Sequence, residues 1–300
     1  MDSKVIEALL SSREITIPPG IVNSMRLTKR RLQNLGEEEF INDDLHAPAM
    51  HLLKSSGKLI RPGLVFSSAY MLSQKPEDFV DLAAGIELLH TASLIHDDII
   101  DKDSVRRGDQ AVHRKFGESK AILAGDALIA KAIQLTSPYG SKVVMRASEA
   151  AMAMCAGEIL DHEQQQSRSV PDLQTYLNIA RLKTAYLIGV STSIVADYAG
   201  HGNRDVLYEI GTNIGYSFQI KDDIMNYVGA EDRAGKDVMN DAKNSRPNII
   251  SVFSGHGRDD PLKTAIKLNN FYIDASQALL ESMDKSDIIS PYLEFLRIKA

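Results

Sequence analysis

Residues 90–108 constrain the fold most, because they pass from an apolar helix to an acidic cluster and then to two arginines. On a wheel of 100° per residue, one narrow arc holds His90, Ser93, Asp97 and Asp101, with Asp98 beside it. Carboxylates four residues apart repel, at about 0.2–0.5 kcal/mol in an isolated helix. The cluster predicts a bound cation, and Mg²⁺ fits because it prefers carboxylate oxygen alongside water and phosphate. A solvated acidic helix end is the alternative.

A second acidic cluster, Asp222-Asp223-Ile224-Met225-Asn226, repeats this spacing with asparagine in the last place. Gln219 lies one turn before Asp223 and points to the same side. If the two helices face each other in a bundle, five carboxylates and one amide converge on one cavity. Ligand sites in helical bundles are commonly built in this way.

The predicted fold class is all-α: one helical-bundle domain over residues 1–300, with residues 1–20 as an N-terminal extension. No stretch alternates as strands do, and no fixed-period repeat occurs. Helices are expected at about 21–35, 44–54, 62–73, 79–101, 121–135, 142–166, 171–198, 205–228, 261–284 and 286–296. Residues 229–247 are expected to form a polar loop. In the helix over 142–166, we expect core packing for Met152, Met154, Cys155 and Ile159.

Charge and cysteine content narrow the function classes. The 300-residue chain has a net charge of −6, which argues against nucleic acid as a partner. Cys155 is the only cysteine, so no internal disulfide forms and a reducing compartment is expected. The acidic residues near Met1 do not fit a signal peptide, and no apolar run reaches the length of a membrane span. We therefore expect a cytoplasmic protein without stable membrane insertion.

Basic residues accompany the acidic clusters. Lys58 and Arg61 share one face at a helix start, where free N–H groups already favour anions. Lys183 lies within an apolar stretch and needs a partner or a ligand, unless it reaches the surface. The further cations are Arg106, Arg107, Lys236 and Arg246. Carboxylates for metal together with many Lys and Arg describe a site for diphosphate groups.

In this combination the sequence resembles the trans-prenyltransferases, the polyprenyl synthetase family, of medium- or long-chain type. The matching motifs, in the family's order over about residues 50–250, are Gly57-Lys58-x-x-Arg61-Pro62, His90, Asp97-Asp98-x-x-Asp101, Arg106-Arg107-Gly108, Gly125-Asp126, Lys183-Thr184, Phe218-Gln219-x-x-Asp222-Asp223 and Gly235-Lys236. Each motif alone is weak, whereas the ordered set is highly specific.

The resemblance implies an isoprenoid-synthase bundle with a deep central cavity, a homodimer, and Mg²⁺-dependent condensation of isopentenyl diphosphate with an allylic diphosphate. It implies three Mg²⁺ ions per site, held by Asp97, Asp98, Asp101 and Asp222, with Asp223 close by. Arg106 and Lys236 would bind the allylic diphosphate. Isopentenyl diphosphate would be bound by Lys58, Arg61, His90 and Arg107. Lys183, Thr184 and Gln219 would lie near the allylic carbon and stabilise its positive charge.

Product length is predicted from residues before the first motif, which in this family form the floor of the chain cavity. Ala92 and Ser93 are small where short-chain enzymes usually carry a large aromatic residue, and Leu89 lies deeper. The prediction is an all-trans polyprenyl diphosphate longer than farnesyl. Geranylgeranyl diphosphate is the alternative, if a bulky residue of another helix blocks the cavity.

Two departures and three rival functions stay open. Asn226 replaces an aspartate, so weaker metal binding with retained activity is expected. Asn244–Asn248 replaces the family's Glu-Gly-Lys-x-Thr, and Arg246 would stand in for the lysine. A class I terpene cyclase, a non-catalytic regulatory subunit and a structural helical protein are the rivals. A terpene cyclase lacks a second aspartate pair such as Asp222-Asp223. A regulatory subunit loses one or both of the aspartate motifs.

Overall fold

The computed structural model describes residues 19–36, 39–55, 57–167, 169–234, 248–255 and 260–298, without the side chains of 230–234. Its α-helices are α1 (Pro19–Gln33), α2 (Asp43–Lys54), α3 (Ile60–Met71), α4 (Val80–Ile100), α5 (Val112–Phe116), α6 (Glu118–Thr136), α7 (Ser141–Ser167), α8 (Leu173–Ala180), α9 (Tyr186–Ala199), α10 (Arg204–Ala234), α11 (Ile249–Gly255), α12 (Pro261–Leu280) and α13 (Ser290–Leu296). A two-residue antiparallel pair, β1 (Val105–Arg106) with β2 (Asp109–Gln110), accompanies them. The predicted all-α fold is confirmed.

By its internal contacts the described chain divides into two compact units. The first contains the described residues up to Met152 together with Val190–Leu207. The second contains Ala153–Gly189 and the described residues from Tyr208 onward. The single domain over residues 1–300 stays a prediction, and the N-terminal extension lies outside the described residues for its first eighteen positions.

In the first unit, α4 is the central helix. It follows a 3₁₀ turn over Pro76–Phe79 and carries Asp81 in its first turn, both typical of a helix start. Small residues let α6 approach it closely: a Cβ at Gly85 would lie 2.8 Å from Cγ2 of Thr136, and one at Gly125 would overlap the His96 ring. Because α4 is buried along most of its length, its buried Leu and Ile side chains contribute roughly 1.5–3 kcal/mol each to folding.

In the second unit, the core lies between α8, α10, α11 and α12. Its larger buried side chains are Tyr176, Ile220, Ile224, Val228, Ile249, Val252, Phe253 and Ile266. Asp172 caps the N-terminus of helix α8, and its carboxylate accepts a hydrogen bond of 2.7 Å from the Thr175 N–H. This core fixes the face of α10 that carries the second acidic cluster.

The predicted loop over residues 229–247 is wrong at its start, because α10 continues to Ala234. A lone glycine such as Gly229 costs about 1 kcal/mol relative to alanine in a helix, and the alanine and charged residues after it favour helix continuation. The remainder of that loop lies outside the described residues. The strand pair at Val105–Gln110 also departs from the sequence reading, which left that turn without structure.

The predicted core packing on α7 is wrong for Met152, Cys155 and Ile159. Cys155 is exposed, and Met152 and Ile159 are 69% and 61% exposed. Met154 is buried as expected. The apolar composition of α7 predicted burial, but it does not distinguish a face covered within the chain from a face left open.

One stretch of the described chain, Leu173–Ala199, is long and apolar enough to cross a membrane by length and composition. The sequence reading missed it, since charged residues interrupt the apolar run. About 72% of its most apolar window is buried within the structure, as in the core helix of a soluble protein. This burial indicates that the stretch is part of the protein core.

Candidate active site

Helix α4 ends directly after the first acidic cluster. Lys102 adopts a left-handed φ of 58°, and its N–H donates to the Ile99 carbonyl at 3.3 Å. The Asp103 N–H donates to the Asp98 carbonyl at 3.0 Å, which completes a Schellman motif. The cluster therefore lies at the negative end of the helix dipole, which adds to the repulsion between the carboxylates and favours a cation there.

Within this cluster, Asp98 is bound to Arg106. The Asp98 carboxylate is buried, and its Oδ1 accepts a hydrogen bond of 2.7 Å from Nε of Arg106. The same guanidinium donates to Asp103 at 3.0 Å. Burial raises the pKa of Asp98, while the hydrogen bond and charge of Arg106 oppose that rise. Oδ2 of Asp98 is also buried and accepts no hydrogen bond in the structure.

The Arg106-Arg107-Gly108 motif forms the turn of the short hairpin. Arg107 and Gly108 have φ values of 55° and 82°, the combination of a two-residue type I′ turn between paired strands. Arginine is not a favoured residue at such a position, because a left-handed φ costs a residue with a Cβ about 1–2 kcal/mol. Strain of this kind concentrates at functional sites, so the turn marks Arg107 as a functional candidate.

Neighbouring backbone holds the Arg107 guanidinium. Nη1 donates to the carbonyls of Leu52 and Ser55, both at 3.3 Å, at the C-terminal end of α2. Gly57 faces the guanidinium so closely that a Cβ there would lie 3.3 Å from Nη2. The glycine of the Gly57-Lys58 motif therefore makes room for Arg107.

Arg61 and His90 lie in the same charged neighbourhood. Burial lowers the pKa of Arg61 to about 10, and Nε of Arg61 is buried without a hydrogen-bond partner. Burial lowers the pKa of His90 well below its usual value, and the charges of Arg61, Arg107 and Arg106 lower it further. The imidazole is therefore neutral at physiological pH. Lys58 lies just before α3, and Leu59, the N-cap residue between them, adopts a left-handed φ of 51°.

The three residues predicted to set chain length lie on α4. Leu89 and Ala92 are buried and Ser93 is half-buried, with its hydroxyl bound to the His90 carbonyl at 2.9 Å. That intrahelical bond turns the Ser93 side chain back onto its own helix. Their role in product length stays a prediction.

In the second unit, Lys183 and Thr184 lie in a π-helical turn, Arg181–Ala185, between α8 and α9. A Cβ at Gly157 of α7 would overlap the Lys183 backbone, and one at Gly215 of α10 would overlap Ala185. Two glycines on neighbouring helices thus provide the space for the wider turn. Single π turns inside α-helices are frequently found at functional sites.

Two carboxylates of α7 hold Lys183. Its Nζ lies 2.5 Å from Oε2 of Glu158 and 2.7 Å from Oδ2 of Asp161. Glu158 is buried, so its charge needs this cationic partner. The sequence reading required a partner or a ligand for Lys183, and the structure provides the partners.

Thr184 and Gln219 belong to a hydrogen-bonded chain that ends at Asp223. Thr184 Oγ1 donates to Oε1 of Gln219 at 2.8 Å, and Nε2 of Gln219 donates to Oδ1 of Asp223 at 3.0 Å. Oδ2 of Asp223 accepts hydrogen bonds from the Tyr176 hydroxyl at 2.7 Å and from the Ile249 N–H at 3.0 Å. Burial raises the pKa of Asp223 to about 6, against the effect of these donors. Both oxygens of Asp223 thus serve structural contacts, and its role as a metal ligand stays a prediction.

The asparagine that departs from the family pattern contacts the first aspartate of its cluster. Nδ2 of Asn226 donates a hydrogen bond of 3.1 Å to Oδ2 of Asp222. Lys236, Arg246 and most of the departure over residues 244–248 lie outside the described residues. The exception is Asn248, whose side chain accepts hydrogen bonds from the N–H groups of Ile250 and Ser251 at the start of α11.

The oxygen donors of the first cluster suit Mg²⁺. Within the described ranges, no three His, Cys, Asp or Glu side chains form a group that could hold a metal ion alone. Mg²⁺ is commonly bound through one or two carboxylates, with substrate phosphates and water completing its six ligands. The unsatisfied Oδ2 of Asp98, between Asp97 and Asp101 in sequence, fits such a site.

Sequence reasoning missed four residues that hold the predicted ones. Glu158 and Asp161 bind Lys183, and Tyr176 binds Asp223. The fourth, Glu87, lies 3.8 Å from Arg107. A signal was present for Glu87 alone, since an acid one turn before His90 in an otherwise apolar helix needs a partner.

Known proteins resemble this chain over most of its length. The polyprenyl synthetase family model matches residues 42–282. The short chain isoprenyl diphosphate synthase of Methanocaldococcus jannaschii is 34% identical over 250 residues, 80% of this chain and 76% of that protein. The geranylgeranyl diphosphate synthase of Sulfolobus acidocaldarius is 35% identical over 260 residues, 83% of this chain and 77% of that protein. The solved geranylgeranyl pyrophosphate synthetase from Geoglobus acetivorans is 26% identical, with a TM-score of 0.79 over 92% of this chain and 97% of that chain.

With the fold, the motifs and this match together, the chain belongs to the polyprenyl synthetase family. It is a trans-prenyl diphosphate synthase, a transferase of isoprenoid biosynthesis. The rival readings as a terpene cyclase or a structural helical protein are thereby set aside.

Proposed function

We propose that this enzyme condenses isopentenyl diphosphate head to tail with an allylic diphosphate, in a Mg²⁺-dependent reaction. The product would be an all-trans polyprenyl diphosphate longer than farnesyl. The observation that carries the proposal is the cluster of Arg61, Arg107 and neutral His90 in the first unit. It offers two guanidinium groups to an anion, one of them with a buried nitrogen that has no partner.

Isopentenyl diphosphate is the anion proposed for this cluster. Guanidinium groups bind diphosphate oxygens in bidentate fashion, and Lys58 adds a point charge. The neutral imidazole of His90 donates one hydrogen bond without adding charge. The Arg107 backbone is already held by its turn, so less conformational entropy is lost when the diphosphate binds.

The allylic diphosphate is proposed to bind through Mg²⁺ and the remaining cations. Asp97, Asp98, Asp101, Asp222 and Asp223 would hold three ions, and Arg106, Lys236 and Arg246 would bind the phosphates. Bound Mg²⁺ would neutralise the charge that the departing diphosphate acquires. Arg106 is oriented for this role by its two bonds to Asp98 and Asp103.

The allylic cation is proposed to form near Lys183, Thr184 and Gln219. The Thr184 hydroxyl donates a hydrogen bond to Oε1 of Gln219, so lone pairs on both side-chain oxygens remain for a developing positive charge. The alkene of isopentenyl diphosphate then attacks the cation, and the new bond forms as a proton is lost to the diphosphate. No protein nucleophile takes part in this sequence.

Product length is proposed to depend on Leu89, Ala92 and Ser93. Small side chains at Ala92 and Ser93 would leave room beyond a farnesyl chain. Geranylgeranyl diphosphate is the second candidate, and it is favoured by the names of the Sulfolobus and Geoglobus relatives. Chain-length analysis separates the two.

A homodimer in the cytoplasm is the proposed state. Support for the dimer comes from large apolar side chains that are exposed on two consecutive helices. They are Ile122, Leu123 and Ile133 on α6, and Met145, Met152 and Ile159 on α7. The last three are spaced by seven residues, which gives one stripe along α7. An exposed apolar stripe of this kind is typical of a protein–protein contact.

One incubation tests the function directly. The full chain is mixed with radiolabelled isopentenyl diphosphate, Mg²⁺ and geranyl, farnesyl or geranylgeranyl diphosphate as primer, and the products are dephosphorylated and separated by length. We expect labelled polyprenols of more than fifteen carbons, and none when EDTA replaces Mg²⁺. Absence of any extended product with every primer would overturn the proposal and favour a regulatory subunit.

A further inference from the structure

Glu87 is a buried acid on α4 that none of the assigned roles uses. It is 3% exposed and lies one turn before His90. Burial raises the pKa of Glu87, and the charges of Arg61 and Arg107 oppose that rise. A buried carboxylate of this kind is destabilising unless cations compensate it, so its retention calls for a physical account.

The two cations that compensate Glu87 are the arginines of the proposed isopentenyl diphosphate site. Oε1 of Glu87 lies 3.8 Å from Nη2 of Arg107, and Arg61 lies within range of its charge. Arg61 and Arg107 repel one another, and this repulsion contributes to the lowered pKa of Arg61. A carboxylate near both guanidinium groups reduces that repulsion and allows them to share one small volume.

Groups other than Glu87 also fix Arg107, whereas Arg61 keeps an unused donor. Arg107 is bound on another side by the Leu52 and Ser55 carbonyls. Nε of Arg61 is buried and has no partner. Arg107 is therefore anchored by Glu87 and by two backbone carbonyls, and the unsatisfied donor of Arg61 is left for a ligand.

We propose that Glu87 is a positioning residue, which holds the Arg61 and Arg107 guanidinium groups together in the orientation that binds the diphosphate of isopentenyl diphosphate. This inference rests on the proposed function for the identity of the ligand. Its physical content, that a buried carboxylate strengthens an anion site, can be tested with inorganic pyrophosphate alone.

The sign of the effect separates this role from simple electrostatics. Removing a negative charge beside an anion site strengthens anion binding if geometry is unchanged, so a bystander Glu87 predicts a lower KM in Glu87→Gln. A positioning role predicts the opposite. We expect Glu87→Gln to raise the KM for isopentenyl diphosphate about tenfold, with the KM for the allylic substrate within twofold and kcat within threefold of wild type. Glu87→Asp restores the carboxylate and recovers part of the loss.

Two controls keep the test decisive. Glu39→Gln removes another carboxylate of the first unit that bridges two cations, Arg31 and Lys131, and is expected to leave both KM values unchanged. Thermal unfolding identifies variants that fail to fold. If Glu87→Gln does not fold, Glu87→Asp is compared with the wild-type protein instead.

Calorimetric titration with inorganic pyrophosphate does not depend on turnover. We expect about tenfold weaker binding by Glu87→Gln than by the wild-type protein, with Glu87→Asp between them. A wild-type protein that binds pyrophosphate but forms no prenyl product would refute the proposed function and leave the role of Glu87 intact. Unchanged or tighter pyrophosphate binding, or an equal rise in both KM values, would refute the positioning role.

Discussion

The side-chain amide of Asn226 donates a hydrogen bond of 3.1 Å to Oδ2 of Asp222. An aspartate at this position would repel Asp222 from one turn away, at about 0.2–0.5 kcal/mol. The asparagine therefore relieves repulsion in the metal-free cluster, and it would offer a bound Mg²⁺ one charge fewer. Asparagine in place of aspartate would thus increase the stability of the metal-free helix and decrease its affinity for the ion.

Asn226→Asp tests this balance between helix stability and Mg²⁺ affinity. We expect it to lower the Mg²⁺ concentration for half-maximal activity severalfold, because a further carboxylate binds the ion, and to lower Tm slightly without Mg²⁺. Asn226→Ala is the matched control, since it removes the hydrogen bond without adding charge. The interpretation fails if Asn226→Asp needs as much Mg²⁺ as the wild-type enzyme.

Gly157→Ala tests the fit of the π turn. A Cβ at Gly157 would overlap the Lys183 backbone, so the turn must shift, at a cost of about 1–3 kcal/mol for overpacking. We expect lower stability in urea unfolding and a fall in kcat larger than any change in either KM. Gly202→Ala, where a Cβ meets nothing within 4 Å, is the control and should change neither property. Full kcat in Gly157→Ala would contradict the importance of this turn.

Ala92→Tyr tests the chain-length residues. The larger ring would block the path of the growing chain, so we expect the main product to shorten towards farnesyl or geranylgeranyl length. Ser93→Phe, at a half-buried position, repeats the test with less disturbance of the core, and Ala92→Ser is the control. Product analysis by chromatography gives the answer. An unchanged distribution in both bulky variants would remove these residues from the cavity wall.

His90 makes stability depend on pH with a definite sign. Its pKa is lowered in the folded protein by burial and by the neighbouring arginines, so below pH 6.5 the unfolded chain binds more protons. The free energy of unfolding should therefore fall as the pH drops below 6.5, by at most about 1.4 kcal/mol per pH unit from this group. Urea unfolding at pH 5 and 7 should show a smaller difference in His90→Gln than in wild type. Equal differences would mean that His90 titrates normally in the fold.

Met152→Glu tests the exposed stripe of α7. A charge there is incompatible with an apolar contact between copies, so we expect light scattering to report a monomer for the variant and a dimer for the wild-type protein. Cys155 should also react faster with a maleimide in the variant, because it lies one turn from Met152 and becomes accessible. Phe271→Glu, at another exposed apolar residue on α12, is the control and should stay dimeric. A monomeric wild-type protein would refute the dimer outright.

Local patterns predicted most helices within a few residues, because apolar periodicity and Pro or Gly breaks lie in the sequence itself. The two clusters and their cations were likewise visible as charged residues in apolar helices. The partners of Lys183 and Asp223 were not, since Glu158, Asp161 and Tyr176 meet them only through tertiary packing. The exposed Met152 and Ile159 were misjudged for the same reason: an apolar residue does not reveal whether its cover belongs to its own chain.

The ion-paired lysine of the π turn has an electrostatic consequence. Lys183 carries one positive charge and its partners Glu158 and Asp161 carry two negative charges, so the group as a whole is an anion. A carbocation close to the π turn would therefore meet an attractive field, although a lysine directly precedes Thr184. Lys183 would then act chiefly as a counterion, which holds the carboxylates of Glu158 and Asp161 close together.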